Sequence, residues 1–192
     1  MCSSDLLGRA AEAGADMITI HGRTRQDHYG VVADWQAIRA GATRARERSG
    51  GRAVMVGNGD VLSPHAAREM LRVAGCDAVM IARGALGNPW IYRDILSPVP
   101  VPLTPGEWLD TVLQHIDWHD EFYDRSPLAA PQFRKHLLWY AQGFVGSRRL
   151  RDRLMRLKAF DEVRAELRAF VAGLPSDTLR QGTFEYRLNQ DA

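Results

Sequence analysis

Apolar and polar positions follow two different rhythms along this chain. Up to about residue 95, short apolar runs alternate with longer segments that are apolar on one face only. Leu6–Ala13 is alanine-rich and predicts a helix that Gly14 stops. Asp16–His21 is a short, partly β-branched apolar run and predicts a buried strand. A polar loop runs to Ala33, and a helix opens at Asp34 with Trp35 and Ile38 on one face. Arg52–Val56 predicts a second strand ending in Gly57-Asn58-Gly59-Asp60. Ser63-Pro64 supplies an N-cap and a first-turn proline for a helix reaching Gly75, and Asp77–Ile81 predicts a third strand. Short apolar strands separated by helices indicate βα units and a parallel sheet.

The rhythm changes beyond Leu96. Pro98, Pro100, Pro102 and Pro105 predict a stiff, extended connector. Thr104-Pro105-Gly106-Glu107 then reads as a capping box with proline at the first helical position. Trp108, Val112, His115, Ile116 and His119 fall on related faces of the helix that follows, and Pro127–Gln142, Ser147–Lys158 and Asp161–Ala172 predict three more. The organisation expected is βα units over 1–97, a connector over 98–105 and an all-helical domain over 106–192.

Composition narrows the class. Forty-five per cent hydrophobic and 25% charged residues suit a globular protein with a real core. A net charge of +2 is too small to indicate a nucleic-acid partner by itself. Cys2 and Cys76 match no metal or redox spacing, which favours a reducing cytoplasm over a disulfide framework. Residues Met1–Leu7 lack the basic-then-apolar pattern of a secretory leader, and no apolar run approaches a membrane span.

Four constellations carry candidate chemistry. Val56–Asp60 ends a strand in a glycine-rich turn, which reads as a plain βα turn or as a backbone cradle for an anion. Ala82-Arg83-Gly84-Ala85 ends the next strand and offers a permanent forked cation, either to a phosphate or to a structural carboxylate or helix end. Parallel barrels bind phosphate on the loops after their last strands. His21, with Arg23 and Arg25 behind it, ends the first strand on the same rim; the histidine is a donor to a ligand or simply a satisfied polar residue. In the helical half, Arg134, Lys135, Arg148, Arg149, Arg151, Arg153, Arg156 and Lys158 face only Asp152 in opposition. With Trp139 and Tyr140 nearby, that stripe suits an RNA backbone or a solvated helix face. His115 and His119 stand one helical turn apart without the glutamate of a zinc-hydrolase motif, so no metal is expected.

The ordered series of motifs resembles the tRNA-dihydrouridine synthases over most of the chain. The matching words are AGADMITIHGRTR, the Tyr29-Gly30 and Ala33-Asp34-Trp35 that follow, VGNGD, GCDAVMIARGALGNPWIY and, in the helical half, FRKHLLWYAQGF. That resemblance implies an α/β fold, the C-terminal part of an FMN-binding (β/α)8 TIM barrel followed by an all-helical tRNA-binding domain. It implies that NADPH reduces FMN, that the flavin passes a hydride to a uracil ring of tRNA, and that a cysteine supplies the second proton. Carried over, His21 contacts the flavin; Asn58, Gly59, Asp60, Ala82 and Arg83 hold its phosphate and ribityl region; Arg134, Lys135 and His136 lie toward tRNA, with Arg148 and Arg149 as further contacts. The family's catalytic cysteine, early flavin loop and flavin-contacting lysine precede the segment present here. Cys2 stands just before the helix leading into the first strand, and Cys76 matches a structural position. The chain therefore reads as a C-terminal portion, inactive alone, of a cytoplasmic and monomeric enzyme. The competing readings are a non-catalytic tRNA-binding module and another FMN- or phosphate-binding barrel oxidoreductase.

Overall fold

The computed structural model describes residues 3–28, 30–99 and 101–180. Cys2, Tyr29, Pro100 and residues 181–192, which figure in the sequence reading, lie outside them. The chain divides into two compact units. One comprises the described residues up to Ala85 with Trp90–Pro98; the other comprises Leu86–Pro89 with the described residues from Val99 on.

The first unit alternates helix and strand as α1 (Ser3–Glu12), β1 (Met17–His21), α2 (Trp35–Ser49), β2 (Val54–Asn58), α3 (Pro64–Ala74) and β3 (Ala78–Met80), followed by α4 (Ile91–Leu96). The strands form one parallel sheet in chain order, with His21 opposite Asn58 and Asn58 opposite Met80. Each start signal has a physical partner. The Asp34 carboxylate accepts the Gln36 and Ala37 amides at 2.9 Å, and the Ser63 hydroxyl accepts the Ala66 amide at 3.0 Å. Gly50 and Gly75 end α2 and α3 in left-handed conformation.

Ile18, Ile20 and Met55 from the sheet pack with Ile38, Ala42, Ala45, Ala67 and Met70 of α2 and α3 in one buried cluster. Replacing fully buried Met70 by alanine costs about 2–5 kcal/mol by the usual large-to-small arithmetic. The alternate strand positions Met17, Thr19, Val54 and Met80 are exposed. β2 begins two residues later than its pattern predicts and runs through Gly57 to Asn58. Pairing with His21 and Met80 on either side carries the ladder into the glycine-rich segment.

The second unit is helical: α5 (Pro105–Phe122), α6 (Ala129–Tyr140), α7 (Ser147–Leu154) and α8 (Phe160–Ala172). The capping box forms, with Thr104 and Glu107 each satisfying the other's backbone. Trp108, Val112, Ile116, Phe133, Leu137, Leu150, Leu154, Val163 and Leu167 make its core. The indole of Trp108 donates to the Tyr140 carbonyl at 3.0 Å. α7 stops at Leu154, short of the predicted Lys158, and the next helix starts at Phe160 with Glu162 accepting the Ala159 amide at 3.3 Å.

Arg180, which no sequence motif singled out, ties this unit together. Its Nε donates to the Gln142 carbonyl at 2.9 Å and its Nη2 to the Gly87 carbonyl at 2.8 Å, while its backbone amide bonds Leu103 at 3.0 Å. Burial lowers its pKa to about 10, against a small opposing effect of Tyr140, so it stays charged near neutrality. Gly87 sits so close to α6 that a Cβ there would collide with the Trp139 carbonyl group.

Candidate functional site

The three strand ends of the first unit are stitched by their own side chains. His21 Nδ1 lies 3.2 Å from the Asn58 carbonyl, and Asn58 Nδ2 donates to the Met80 carbonyl at 2.9 Å. Because a carbonyl only accepts, Nδ1 carries the proton, which leaves Nε2 of His21 available for a ligand. Beyond Asn58 the chain turns sharply. Gly59 adopts φ +127°, and a Cβ there would stand 2.7 Å from the Ala33 Cβ. Asp60 follows with φ 55°. The Trp35 indole donates to the Gly59 carbonyl at 3.0 Å and fixes the turn's orientation.

Asp60 is the centre of the charged network. Its carboxylate accepts Arg23 Nη2 at 2.8 and 2.6 Å, Arg83 Nη2 at 2.7 Å and the Ala33 amide at 2.8 Å. Burial pulls this carboxyl up, but the Arg23 hydrogen bonds, the Ala33 amide and the two guanidinium charges outweigh it and hold it below its ordinary value. Asp60 is therefore ionised at neutral pH. A carboxylate has only acceptors, so its side chain orients the two arginines and does not itself bind an anion. Arg23 is further held by a 2.6 Å bond from Nε to the Val31 carbonyl. Its side chain is only 4% exposed, and its Nη1 is buried with no hydrogen-bond partner among the described residues.

All six residues expected at the cofactor line a single cavity of about 190 Å³: His21, Asn58, Gly59, Asp60, Ala82 and Arg83. Arg23 lines it too. Two guanidinium groups against one carboxylate leave the cavity net positive. This donor set fits a phosphate group.

The basic residues of the second unit are dispersed. On α6, three consecutive side chains must point to different sides of the helix. Lys135 is exposed. Arg134 turns toward the end of α7, donating from Nη2 to the Leu157 carbonyl at 3.1 Å while its Nε is buried without a partner among the described residues. His136 is half-buried, with its ring centroid 5.1 Å from those of His115 and Phe133 and 5.2 Å from that of Trp139. Burial first, then the His115, Lys135 and His119 charges, lower its pKa to about 4. It is neutral at pH 7 and offers no cation to a phosphate. Arg148 and Arg149 are exposed on α7, and Arg153 is paired with Glu166. The acidic face is organised by Arg164, which meets Asp117 at 2.7 Å and Asp161 at 3.2 Å.

The weaker candidates resolve simply. His115 Nδ1 meets the Tyr140 hydroxyl at 3.0 Å and His119 Nε2 the Ala129 carbonyl at 3.2 Å. Among the described residues no group of histidine, cysteine or carboxylate side chains is arranged to hold a metal. The Cys76 thiol is buried, and burial pushes its pKa up. None of the described helices is long and apolar enough to cross a membrane.

The family model of dihydrouridine synthase matches residues 3–173. This chain belongs to the dihydrouridine synthase family. A probable tRNA-dihydrouridine synthase of Mycobacterium tuberculosis (strain ATCC 25618 / H37Rv) is 36% identical over 163 residues, covering 81% of this chain and 40% of that protein. One from Rhizobium leguminosarum bv. phaseoli is 39% identical over 141 residues, covering 73% and 42%. The tRNA-dihydrouridine synthase B of Xanthomonas axonopodis pv. citri is 34% identical over 175 residues, covering 86% and 51%. The chain thus spans about half the length, or somewhat less, of the curated relatives it matches. Its parallel βα units are part of the TIM barrel of dihydrouridine synthases, with the helical unit following them.

Proposed function

We propose that this chain carries the cofactor-phosphate and RNA-binding portion of a cytoplasmic, monomeric tRNA-dihydrouridine synthase, an FMN-dependent oxidoreductase that uses NADPH to reduce uridine in tRNA to dihydrouridine. The observation that carries this reading is the convergence of three strand ends on one cavity whose donor set fits a phosphate. Bound there, FMN would supply the hydride chemistry, which no protein side chain can.

The protein's part is to bind and orient. The turn Asn58-Gly59-Asp60 and the segment Ala82-Arg83 hold the phosphate end, with Asp60 keeping Arg83 in place. His21, its Nδ1 committed to the Asn58 carbonyl, presents Nε2 toward the ribityl or ring. Arg134, Lys135 and His136 lie on the tRNA side; of these, exposed Lys135 gives the phosphate contact and neutral His136 a packing or hydrogen-bonding one. Arg148 and Arg149 extend the basic surface. Buried Cys76, with its raised pKa, is not assigned the acid's role.

Titration of the purified chain with FMN, in parallel with a tRNA gel-shift series, tests this reading. Saturable binding of both supports it. Binding of tRNA by a folded chain that ignores FMN favours the non-catalytic module, for which the basic residues of α7 are the supporting feature.

A further inference from the structure

Resting on the reading that the cavity takes FMN, we infer that Arg23 is a further phosphate contact, its Nη1 donating to a terminal phosphate oxygen of the bound flavin. Arg23 differs from the other cations of this unit in its surroundings. Its side chain is 4% exposed, whereas that of Arg46 is 33% exposed and that of Arg48 42%. Nε is spent on the Val31 carbonyl and Nη2 on both Asp60 oxygens. Nη1 alone is withdrawn from water and has no acceptor among the described residues.

A buried guanidinium N–H with no acceptor is costly, and native structures keep such groups where something else completes them. Arg23 is one of the residues that line the cavity, together with Arg83 and the Asn58–Asp60 turn. Asp60 grips both guanidinium groups, so the two arginines form a jaw of fixed spacing with the carboxylate behind it. A phosphate monoester carries between one and two negative charges near neutrality, more than the single charge of a nucleic-acid phosphodiester. The jaw's residual positive charge and two guanidinium groups match the monoester better.

The test compares FMN with riboflavin, which lacks the phosphate, in the unsubstituted chain and in the Arg23→Met and Arg23→Lys variants. The ratio of the two affinities within each variant cancels any general loosening of the fold. Arg23→Met is expected to lower the FMN preference at least about tenfold, as removal of a charge-assisted bond does, with riboflavin affinity little changed. Arg23→Lys is expected to restore part of it. An unchanged ratio in a folded variant overturns the inference while leaving the FMN site standing. So does an unchanged ratio accompanied by weaker tRNA binding, which assigns Nη1 to the nucleic-acid backbone. Failure of the unsubstituted chain to bind either flavin removes the underlying reading and this inference with it. Should neither variant fold, arginine side-chain nitrogen spectra of the unsubstituted chain decide. Two guanidinium signals moved by FMN and not by riboflavin support the contact, and one or none overturns it.

Discussion

Arg83 Nη2 meets Asp60 Oδ1 at 2.7 Å, so the residue that ends one strand's loop is held by the residue that ends the neighbouring strand's loop. Arg23 reaches the same carboxylate from the first strand's loop. One carboxylate thereby fixes the relative position of three loops around the cavity.

Removing that carboxylate's charge should be felt first as stability. Asp60→Asn is expected to lower the unfolding free energy by about 1–3 kcal/mol at pH 7, because two guanidinium groups lose a charged acceptor. The pH dependence has a definite sign. The folded pKa of Asp60 lies below its ordinary 3.8, so its stabilisation is complete above that value and is lost as pH falls through the folded pKa. Urea unfolding at pH 7 and at pH 3 checks both points: the gap between variant and parent narrows at the lower pH.

Gly59 makes a prediction about backbone shape. Gly59→Ala places a Cβ at φ +127° and 2.7 Å from the Ala33 Cβ. The expected loss is about 1–3 kcal/mol, with the Asn58–Asp60 turn displaced. Chemical denaturation measures the first, and the FMN titration the second. A neutral result would show that the turn relaxes freely.

Acid should loosen the helical unit well before it reaches the carboxylates. The pKa of His136 is lowered from 6.5 to about 4, and burial lowers those of His115 and His119 as well. Stability from these neutral imidazoles is fully present above pH 6.5 and declines as pH falls toward 4, because the unfolded chain takes up protons that the folded one refuses. A melting-temperature series from pH 7.5 to 4.5 should fall with acidity, and His136→Gln should flatten the slope. A slope unaltered by that substitution would contradict the assignment to this cluster.

The exposed basic residues predict a salt effect. If Lys135, Arg148 and Arg149 meet tRNA phosphates, each alanine substitution should weaken binding similarly for all tRNAs. Each should also reduce the slope of log affinity against log salt by about 1. Arg153, already paired with Glu166, should matter less.

The sequence reveals some of this directly and hides the rest for physical reasons. The strand–turn words ending at His21, Asp60 and Arg83 were legible because parallel βα units bring successive strand ends to one rim, and all six expected cofactor residues line one cavity there. The part played by Asp60 was not legible: that its oxygens would be occupied by Arg23 and Arg83 depends on side-chain directions across loops far apart in the chain. His136 shows the converse. Its place beside Arg134 and Lys135 suggests a basic patch, yet consecutive helical positions diverge, and burial among rings of both α5 and α6 is what chiefly keeps it neutral. Arg180 lies outside every motif because it binds carbonyl groups, which leave no side-chain signature.

Flavin fluorescence of FMN titrated with the purified chain reads out whether the three strand ends form a cofactor-phosphate site. Saturable quenching that Arg83→Met weakens is the expected result. A chain with intact helical circular dichroism that leaves FMN fluorescence unchanged across the titration would contradict it.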